Sequence, residues 1–259
     1  MKLHTFRIGG VHPDAHKLTA EVATKVAELP KKAIFPLSQH IGAPAKPVVK
    51  RGDKVKVGTL IAEAGGFVSA PIYSSVSGTV AKIDESIDAT GYRKPVIIID
   101  VEGDEWEESI DRSDKLETLD KHPELTPEEI INRVKVAGVT GMGGAGFPTF
   151  IKLMPPPTAK AECVIINGVE CEPYITADYR LMMEHADEII QGLYLLMKAV
   201  KVDKGYIGIE DNKPKAIELL TEKTANDPRI EVVPLAKKYP QGGEKQLVDA
   251  VIRRQVPAP

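Results

Sequence analysis

The sequence predicts a mixed α/β protein, α+β overall, in which a small all-β module precedes an α/β domain. Residues 33–101 are short β-rich runs that glycine and proline interrupt, and residues 163–254 alternate apolar runs with segments of helical periodicity. With 259 residues, 42% of them hydrophobic, the chain is large enough for two cores. We therefore divide it into an N-terminal extension (1–32), a β module (33–102), an acidic connector (103–124) and an α/β domain (125–259).

Two similar turns mark the β module. In residues 49–55 and again in residues 75–80, a glycine lies between two valines, at Gly52 and at Gly78. This repeat indicates two related halves. This pattern resembles the barrel-sandwich hybrid of biotinyl and lipoyl domains. Carrier members of that family have a lysine at the hairpin between the halves, whereas residues 67–72 contain none. The module is therefore predicted to be structural.

The second half reads as a Rossmann-like α/β domain. Thr126, Pro127 and Glu129 form a helix-start signature, and we expect a helix from there through Val134. Continuous or alternating apolar runs predict strands at 163–167, 205–209 and 230–235. Apolar spacing of three and four predicts helices at 178–201, 214–225 and 244–254.

A glycine-rich loop connects the first predicted helix to the first of these strands. It runs Gly141, Met142, Gly143, Gly144, Ala145, Gly146, Phe147, and Lys152 follows shortly after. So few Cβ atoms let main-chain N–H groups converge on an anion, and the lysine adds a positive charge. The spacing fits neither G-x-x-x-x-G-K-[ST] nor G-x-G-x-x-G. Glycine-rich loops also serve as plain turns, and the motifs downstream favour the anion-binding interpretation.

Two strand exits carry polar residues. Asn167, Glu170 and Glu172 follow the first strand of the α/β domain, and ligands of such sheets bind at the carboxyl ends of strands. A second polar segment follows the third strand and opens the last helix, with Tyr239, Gly242, Gly243 and Glu244. Glycines at a helix N-terminus permit close approach of an anionic ligand.

Together these motifs resemble the flavoprotein subunit of respiratory NADH:quinone oxidoreductase. Three features make the chain more similar to the C subunit of the Rnf electron transport complex. They are the segment with Gly9, Gly10, His12 and Pro13, the β module, and the motif from Asn167 to Pro173. The resemblance implies FMN as cofactor and NAD(H) as substrate, with no catalytic side chain because FMN supplies the chemistry. The cofactor-binding residues it implies are Gly141, Gly143, Gly144, Ala145, Gly146, Phe147, Lys152, Asn167, Glu170, Glu172, Tyr239, Gly242, Gly243 and Glu244.

Within this resemblance, the glycine loop and Lys152 hold the FMN phosphate and Asn167 bonds the flavin. Glu170 and Glu172 suit the ribityl or NADH hydroxyls, and Phe147 and Tyr239 suit stacking on a ring. Val169 departs from the respiratory homologue, which has an acid there. The family also continues into the rest of the flavin domain, a β-grasp domain and two [4Fe–4S] motifs, so we expect this chain to be a C-terminally truncated fragment.

The resemblance implies a peripheral electron-transfer subunit on the cytoplasmic face of the bacterial inner membrane. Its partners would be the other subunits of the Rnf complex and, indirectly, ferredoxin. The net charge of −3 argues against nucleic acid, and no apolar run is long enough to span a membrane. Cys163 and Cys171 are too few for a metal site or a disulfide framework. A non-catalytic docking scaffold of the same complex is the alternative, and a quinone- or polysaccharide-binding relative is a third interpretation.

Overall fold

The computed structural model describes residues 3–88, 90–113, 115–142 and 144–256. The chain forms two compact units. One, the β unit, contains Val26–Lys115 and Glu128–Pro156, and the other, the α/β unit, contains Met1–Lys25, Leu116–Pro127 and Pro157–Pro259. The glycine loop thus belongs to the same unit as the β module, and the two polar strand exits belong to the other.

The β unit consists of two antiparallel sheets. One has the order β1-β7-β6-β3 and the other the order β2-β4-β5. The strands are β1 (Lys32–Pro36), β2 (Lys46–Pro47), β3 (Lys54–Val55), β4 (Leu60–Glu63), β5 (Ile72–Tyr73), β6 (Ser77–Ile87) and β7 (Arg93–Gly103). These strands lie in the part of the chain where the sequence predicted short β-rich runs.

Aliphatic side chains from both sheets fill the core of the β unit. Ile61, Val80, Ile97 and Ile99 are fully buried there. Gly78 allows β6 and β7 to lie close, because a Cβ at this position would stand 2.1 Å from the Asp100 carbonyl oxygen. The predicted module is therefore a packed core and not a collection of loops.

Part of the predicted acidic connector is paired with the barrel. The Val57 N–H donates to Glu105 O at 2.8 Å, and the Glu107 N–H donates to Val57 O at 3.0 Å. Trp106 lies between these two bonds, with the Arg112 guanidinium 4.9 Å from its ring centroid. The sequence predicted only an acidic connector here, because a single aromatic residue gives no periodicity that would indicate pairing.

The β unit also contains two helices around the glycine loop. The first is α1 (Pro127–Val136), which begins at the proline that the sequence predicted, and the second is the short α2 (Thr149–Lys152).

The α/β unit is built on three parallel strands in the order β10-β9-β8. The strands are β8 (Val164–Gly168), β9 (Gly205–Glu210) and β10 (Ile230–Leu235). A 3-10 helix (Leu119–Lys121) precedes them in the chain, and the helices are α3 (Ala177–Glu184), α4 (Ala186–Val200), α5 (Pro214–Thr224) and α6 (Glu244–Ile252).

Alternate side chains of the strands enter two different cores. Ile207 and Ile209 of β9 are fully buried against α3, α4 and α5. On the opposite face, Val233 and Leu235 of β10 pack with α6 and with Phe6 from the N-terminal segment. Both faces of the sheet are thus covered, as parallel sheets require.

Two sequence predictions for this unit need correction. The single helix predicted over 178–201 is two helices, because His185 has φ −133° and ψ 38°, outside the helical region. His185 is exposed, and its Nδ1 lies 3.0 Å from Glu188 Oε1. The apolar run at 163–167 suggested a buried strand, whereas β8 lies at one side of the described sheet and is half-buried.

The N-terminal segment joins the α/β unit. The His4 N–H donates to Pro234 O at 3.1 Å, and the Ala236 N–H donates to His4 O at 2.8 Å, beside β10. Further along, Val11 and Tyr239 exchange two main-chain hydrogen bonds of 2.8 Å. These residues have no regular periodicity, so the sequence could not indicate what they contact.

No helix in the described part of the chain is both long enough and apolar enough to cross a membrane.

The fold has room for a larger side chain at Gly192. It lies inside α4, and a Cβ built on it meets no atom within 4 Å. We expect Gly192→Ala to raise the free energy of unfolding by about 0.5–1 kcal/mol, since alanine loses less backbone entropy in a helix. Urea denaturation measures this. Gly205→Ala is the contrast: its Cβ would stand 2.8 Å from Met197 Sδ, so the variant should be destabilised.

Candidate functional site

The glycine loop is closed at its base by main-chain pairing. Thr140 forms an antiparallel bridge with Pro148, and the Gly141 N–H donates to Phe147 O at 2.9 Å. One residue further out, the Thr149 N–H donates to Val139 O at 3.0 Å. The ends of the loop are therefore fixed close together, as in a hairpin.

One side of the loop packs on the turn at residues 39–41 of the β module. The Ile41 N–H donates to Ala145 O at 3.2 Å. Gly146 has φ +63°, and a Cβ on it would lie 2.9 Å from Gln39 O and 3.1 Å from His40 Cα. Glycine at 146 thus serves both a left-handed backbone and a close approach.

His40 fixes this turn from inside the β module. The ring is buried, with Nδ1 donating to Ile41 O at 3.1 Å and Nε2 accepting from the Ala70 N–H at 3.1 Å. Both ring nitrogens are engaged, so the orientation of the imidazole is determined by its partners. Sequence reasoning did not single out His40, because nothing in its neighbourhood distinguishes it from a surface histidine.

The other side of the loop is open. Gly144 is exposed, and a Cβ built on it meets no atom within 4 Å. The Nζ of Lys152, an exposed residue of α2, lies 5.9 Å from the centroid of the Phe147 ring. Open space beside the backbone of Gly144, in a loop whose Phe147 ring lies 5.9 Å from an ammonium group, fits an anion such as a phosphate. Gly143 lies outside the described residues.

The two polar strand exits of the α/β unit meet each other. The Asn167 side chain donates from Nδ2 to Gly242 O at 2.9 Å, and its Oδ1 accepts from the Val169 N–H at 3.2 Å. A Cβ on Gly242 would stand 3.6 Å from Asn167 Nδ2 and from the Cys171 Sγ. These two motifs, far apart in the sequence, therefore form one surface at the carboxyl ends of β8 and β10, where the sequence predicted ligand-binding residues.

Glu170 is buried in the turn after β8. Its φ is +48°, and its Oε1 accepts a hydrogen bond from the Asp178 N–H at 2.7 Å in the first turn of α3. Its Oε2 has no hydrogen-bond partner among the described residues. Burial raises the pKa of this carboxyl, and of the neighbouring Asp178. Glu172, two residues further on, is exposed.

A cluster of buried charges at the end of β9 was missed by sequence reasoning. Glu210 is fully buried, with Oε1 accepting from the Lys238 N–H at 2.9 Å and Oε2 lying 3.9 Å from Lys213 Nζ. Lys213 Nζ also donates to Val169 O at 2.6 Å and to Asn212 Oδ1 at 2.9 Å. Burial lowers the pKa of Lys213 to about 8 and raises the pKa of Glu210. The sequence offered one signal for this cluster, because Glu210 directly follows the strand predicted at 205–209.

The segment after β10 leads directly into α6. Tyr239 is partly exposed, and Gly243 precedes the first residue of the helix, Glu244. The Gly243 N–H donates to Pro240 O at 3.0 Å, and the Leu247 N–H donates to Gly243 O at 2.8 Å. The segment is therefore an ordered turn at a helix N-terminus, where anionic groups are favoured.

The predicted site residues thus fall into two sets. The β unit contains the glycine loop with Phe147, and also Lys152. The α/β unit contains the other predicted residues, which are Asn167, Glu170, Glu172, Tyr239, Gly242, Gly243 and Glu244.

Comparisons with known families also divide the chain in two, but they group the glycine loop with the parallel sheet. Residues 4–104 match the family described as RnfC Barrel sandwich hybrid domain. Residues 134–259, which hold the glycine loop and the whole parallel sheet, match the family described as Nuo51 FMN-binding domain. The fold and loops therefore define a protein of the class that joins a barrel-sandwich module to an FMN-binding type of α/β domain.

Curated relatives make the assignment narrower. The chain is 46% identical over 258 residues to the C subunit of the proton-translocating ferredoxin:NAD(+) oxidoreductase complex of Clostridium ljungdahlii, covering 99% of this chain and 55% of that one. It is 46% identical over 260 residues to the Na(+)-translocating counterpart of Acetobacterium woodii, covering 100% and 57%. The C subunit of the ion-translocating oxidoreductase complex of Rhodobacter capsulatus is 41% identical over 265 residues, covering 99% and 49%.

The chain belongs to the family of the C subunits of Rnf-type electron transport complexes. It spans about half the length of the curated relatives it matches. The predicted resemblance and the predicted fold, a barrel-sandwich module followed by an α/β domain, are confirmed. Among solved structures, an air-oxidized NAD+-reducing [NiFe]-hydrogenase aligns over 48% of this chain and 23% of its own at 27% identity, with a TM-score of 0.43. A TM-score this low does not establish a shared fold.

The Lys213–Glu210 pair gives a first test of this site. Lys213→Met leaves the Glu210 carboxylate buried without its cation, so we expect the free energy of unfolding to fall by about 3–5 kcal/mol in urea denaturation. The double variant Lys213→Met/Glu210→Gln removes the uncompensated charge and should recover a large part of the loss. A double variant as unstable as the single one would exclude the ion pair as the cause.

The lowered pKa of Lys213 predicts a pH dependence of stability. Between pH 8 and the ordinary value of 10.5, the unfolded chain binds more protons at this lysine than the folded chain does. Lys213 therefore makes the free energy of unfolding rise with pH in that window, and its contribution is constant below it. The measurement is urea denaturation across this range. The wild type should gain stability relative to the Lys213→Met/Glu210→Gln variant, and a constant difference contradicts the shift.

Proposed function

We propose that this chain binds FMN, with the phosphate at the glycine loop. The observation that carries the proposal is the open side of that loop at Gly144, together with the Lys152 ammonium 5.9 Å from the ring centroid of Phe147 in the same loop. The opposite side is fixed on the turn at residues 39–41, so the loop is held in shape before a ligand arrives. Main-chain N–H groups of Gly143, Gly144, Ala145 and Gly146 would bind the phosphate oxygens, and Lys152 would neutralise their charge. Gly141 would contribute through its position at the base of the loop, because its own N–H is used on Phe147 O.

The α/β unit would bind the flavin ring and NAD(H). Asn167 uses one amide proton on Gly242 O, and its Nδ2 carries a second that a ring carbonyl could accept. Glu172 is exposed, which suits ribityl or ribose hydroxyls. Glu170 is buried, and its Oε2 accepts no hydrogen bond among the described residues but lies 3.6 Å from Lys17 Nζ, so it would support this side of the site from within the turn. Tyr239 presents part of its ring for stacking, and Gly242, Gly243 and Glu244 form the turn beside Asn167.

The wider role follows from the relatives, which are named as subunits of ferredoxin:NAD(+) oxidoreductase complexes. When bound, FMN supplies the chemistry that interconverts hydride transfer and single-electron transfer. The protein's part is to bind and orient the two nucleotides and to exclude water from the ring. We propose that the chain belongs to a peripheral electron-transfer subunit of an ion-translocating complex, at the cytoplasmic face of a bacterial inner membrane. Its partners would be the other members of the complex and, through [4Fe–4S] clusters in the remainder of the family's length, ferredoxin.

FMN binding is tested by titrating the chain into FMN and following the quenching of flavin fluorescence. We expect saturable binding, and Lys152→Ala should weaken it about 10-fold to 100-fold, because a charge-assisted hydrogen bond to phosphate is lost. Lys50→Ala, which removes an exposed lysine of the same unit, is the matched control and should bind FMN as the wild type does.

Gly144→Val provides a variant that keeps the charge. Its side chain enters open space, so the urea midpoint should be unchanged while the affinity for FMN falls. If the wild type does not bind FMN, the result favours the docking scaffold instead. If Lys152→Ala binds FMN as tightly as the wild type does, the proposal that the phosphate lies at the glycine loop is wrong.

A further inference from the structure

Residues 15–24 of the N-terminal segment lie along the loop that follows β8. We call residues 15–24 the strap and residues 169–176 the exit loop. The strap contains no helix and no strand, yet it makes polar contacts along its whole length. The Tyr174 N–H donates to Ala15 O at 2.9 Å, and the His16 ring stacks on Tyr174 with centroids 5.2 Å apart. The exit loop is thus covered by a segment from the far end of the chain.

Lys17 is the central contact of the strap. Its ammonium donates to three main-chain oxygens of the exit loop, Glu170 O at 2.8 Å, Glu172 O at 3.0 Å and Ile175 O at 2.5 Å. The same nitrogen lies 3.6 Å from Glu170 Oε2, and the side chain is only 12% exposed. Three acceptors satisfy all three protons of the ammonium, so a lysine fits this position completely.

The exit loop has a backbone that needs such support. Glu170 and Tyr174 both have positive φ, +48° and +70°, which is unfavourable for residues with a Cβ. Converging carbonyl groups also repel one another unless a cation lies between them. Lys213 Nζ donates to the neighbouring Val169 O at 2.6 Å, so a second lysine bonds to the main chain at the start of the exit loop.

The rest of the strap continues onto α3. The Thr19 hydroxyl is 2.6 Å from the Thr176 hydroxyl, and Arg180 donates to Ala20 O at 3.1 Å. The Thr24 N–H then donates to Glu184 Oε1 at 3.0 Å. The contacts are therefore continuous from the exit loop to the end of α3.

We propose that Lys17, through the strap, is a positioning residue that sets the exit-loop conformation in which Glu170 and Glu172 meet a nucleotide. The effect on ligand binding rests on the proposed function, whereas the effect on the loop does not. Lys17 itself need not touch FMN or NAD(H), because its protons are used on the loop.

The experiment compares Lys17→Met with Lys17→Arg and with Lys215→Met. Lys215 is an exposed lysine that pairs with Glu21 of the same strap at 2.7 Å, so it controls for loss of a lysine contact to the strap. Hydrogen–deuterium exchange with mass spectrometry follows the amides of residues 170–176. In parallel, FMN affinity and the NADH KM and kcat with ferricyanide as acceptor are measured on the same proteins.

We expect Lys17→Met to speed exchange of these amides at least about tenfold and to raise the NADH KM more than it lowers kcat. Lys17→Arg, which keeps the charge without the three-pronged geometry, should recover part of both effects. Lys215→Met should match the wild type. Unchanged exchange in Lys17→Met overturns the role of Lys17 on the loop, and faster exchange with unchanged nucleotide binding overturns the positioning role.

Two further outcomes keep the tests separate. If the wild type binds no FMN, the proposed function fails, and the exchange result still decides whether Lys17 holds the loop. If Lys17→Met does not fold, Thr19→Val takes its place, since it removes the 2.6 Å contact to Thr176 with little change of shape.

Discussion

The contact between Gly146 and the turn at residues 39–41 is the constraint on which the candidate phosphate loop depends. A side chain at 146 would collide with the Gln39 carbonyl and with His40 Cα, and the Ile41-to-Ala145 hydrogen bond could not form. The buried His40 ring fixes the turn in the same place. The loop is therefore shaped by the β module, so this module has a direct part in forming the candidate phosphate site.

In the α/β unit, the residues expected to meet a ligand also hold the protein together. Asn167 joins the two strand exits, and Glu170 accepts from the first turn of α3. Substituting either would change the fold locally as well as any ligand contact. Lys213 and Glu210, which face inward beneath these loops, keep opposite charges where the dielectric constant is low. The polar surface is consequently supported by a second, buried layer of charge.

Sequence reasoning identified the elements that have strong local signals. Pro127 marked the start of α1, and the parallel strands followed from their apolar runs. It also placed Asn167 and the Gly242 turn at strand exits, where the structure brings them into contact. It failed where the decisive partner is distant in the chain. Lys17 and His40 have no recognisable motif around them, and their roles arise from backbone atoms that the fold delivers. His185 interrupts a helix that periodicity predicts as continuous, because periodicity does not report a local change of backbone angles.

The hairpin that carries the lysine in biotinyl and lipoyl carriers makes contacts within the β unit here. The Ala43 N–H donates to Val68 O at 2.9 Å, and Phe67 meets the ring of Phe150 from α2 edge-on, with centroids 6.3 Å apart. In a carrier this hairpin travels between active sites, whereas here it is tied down next to the helix that bears Lys152. The architecture that carries a mobile lysine in those domains here packs against α2, beside the glycine loop. Grafting the glycine loop onto another scaffold would therefore require taking the barrel with it.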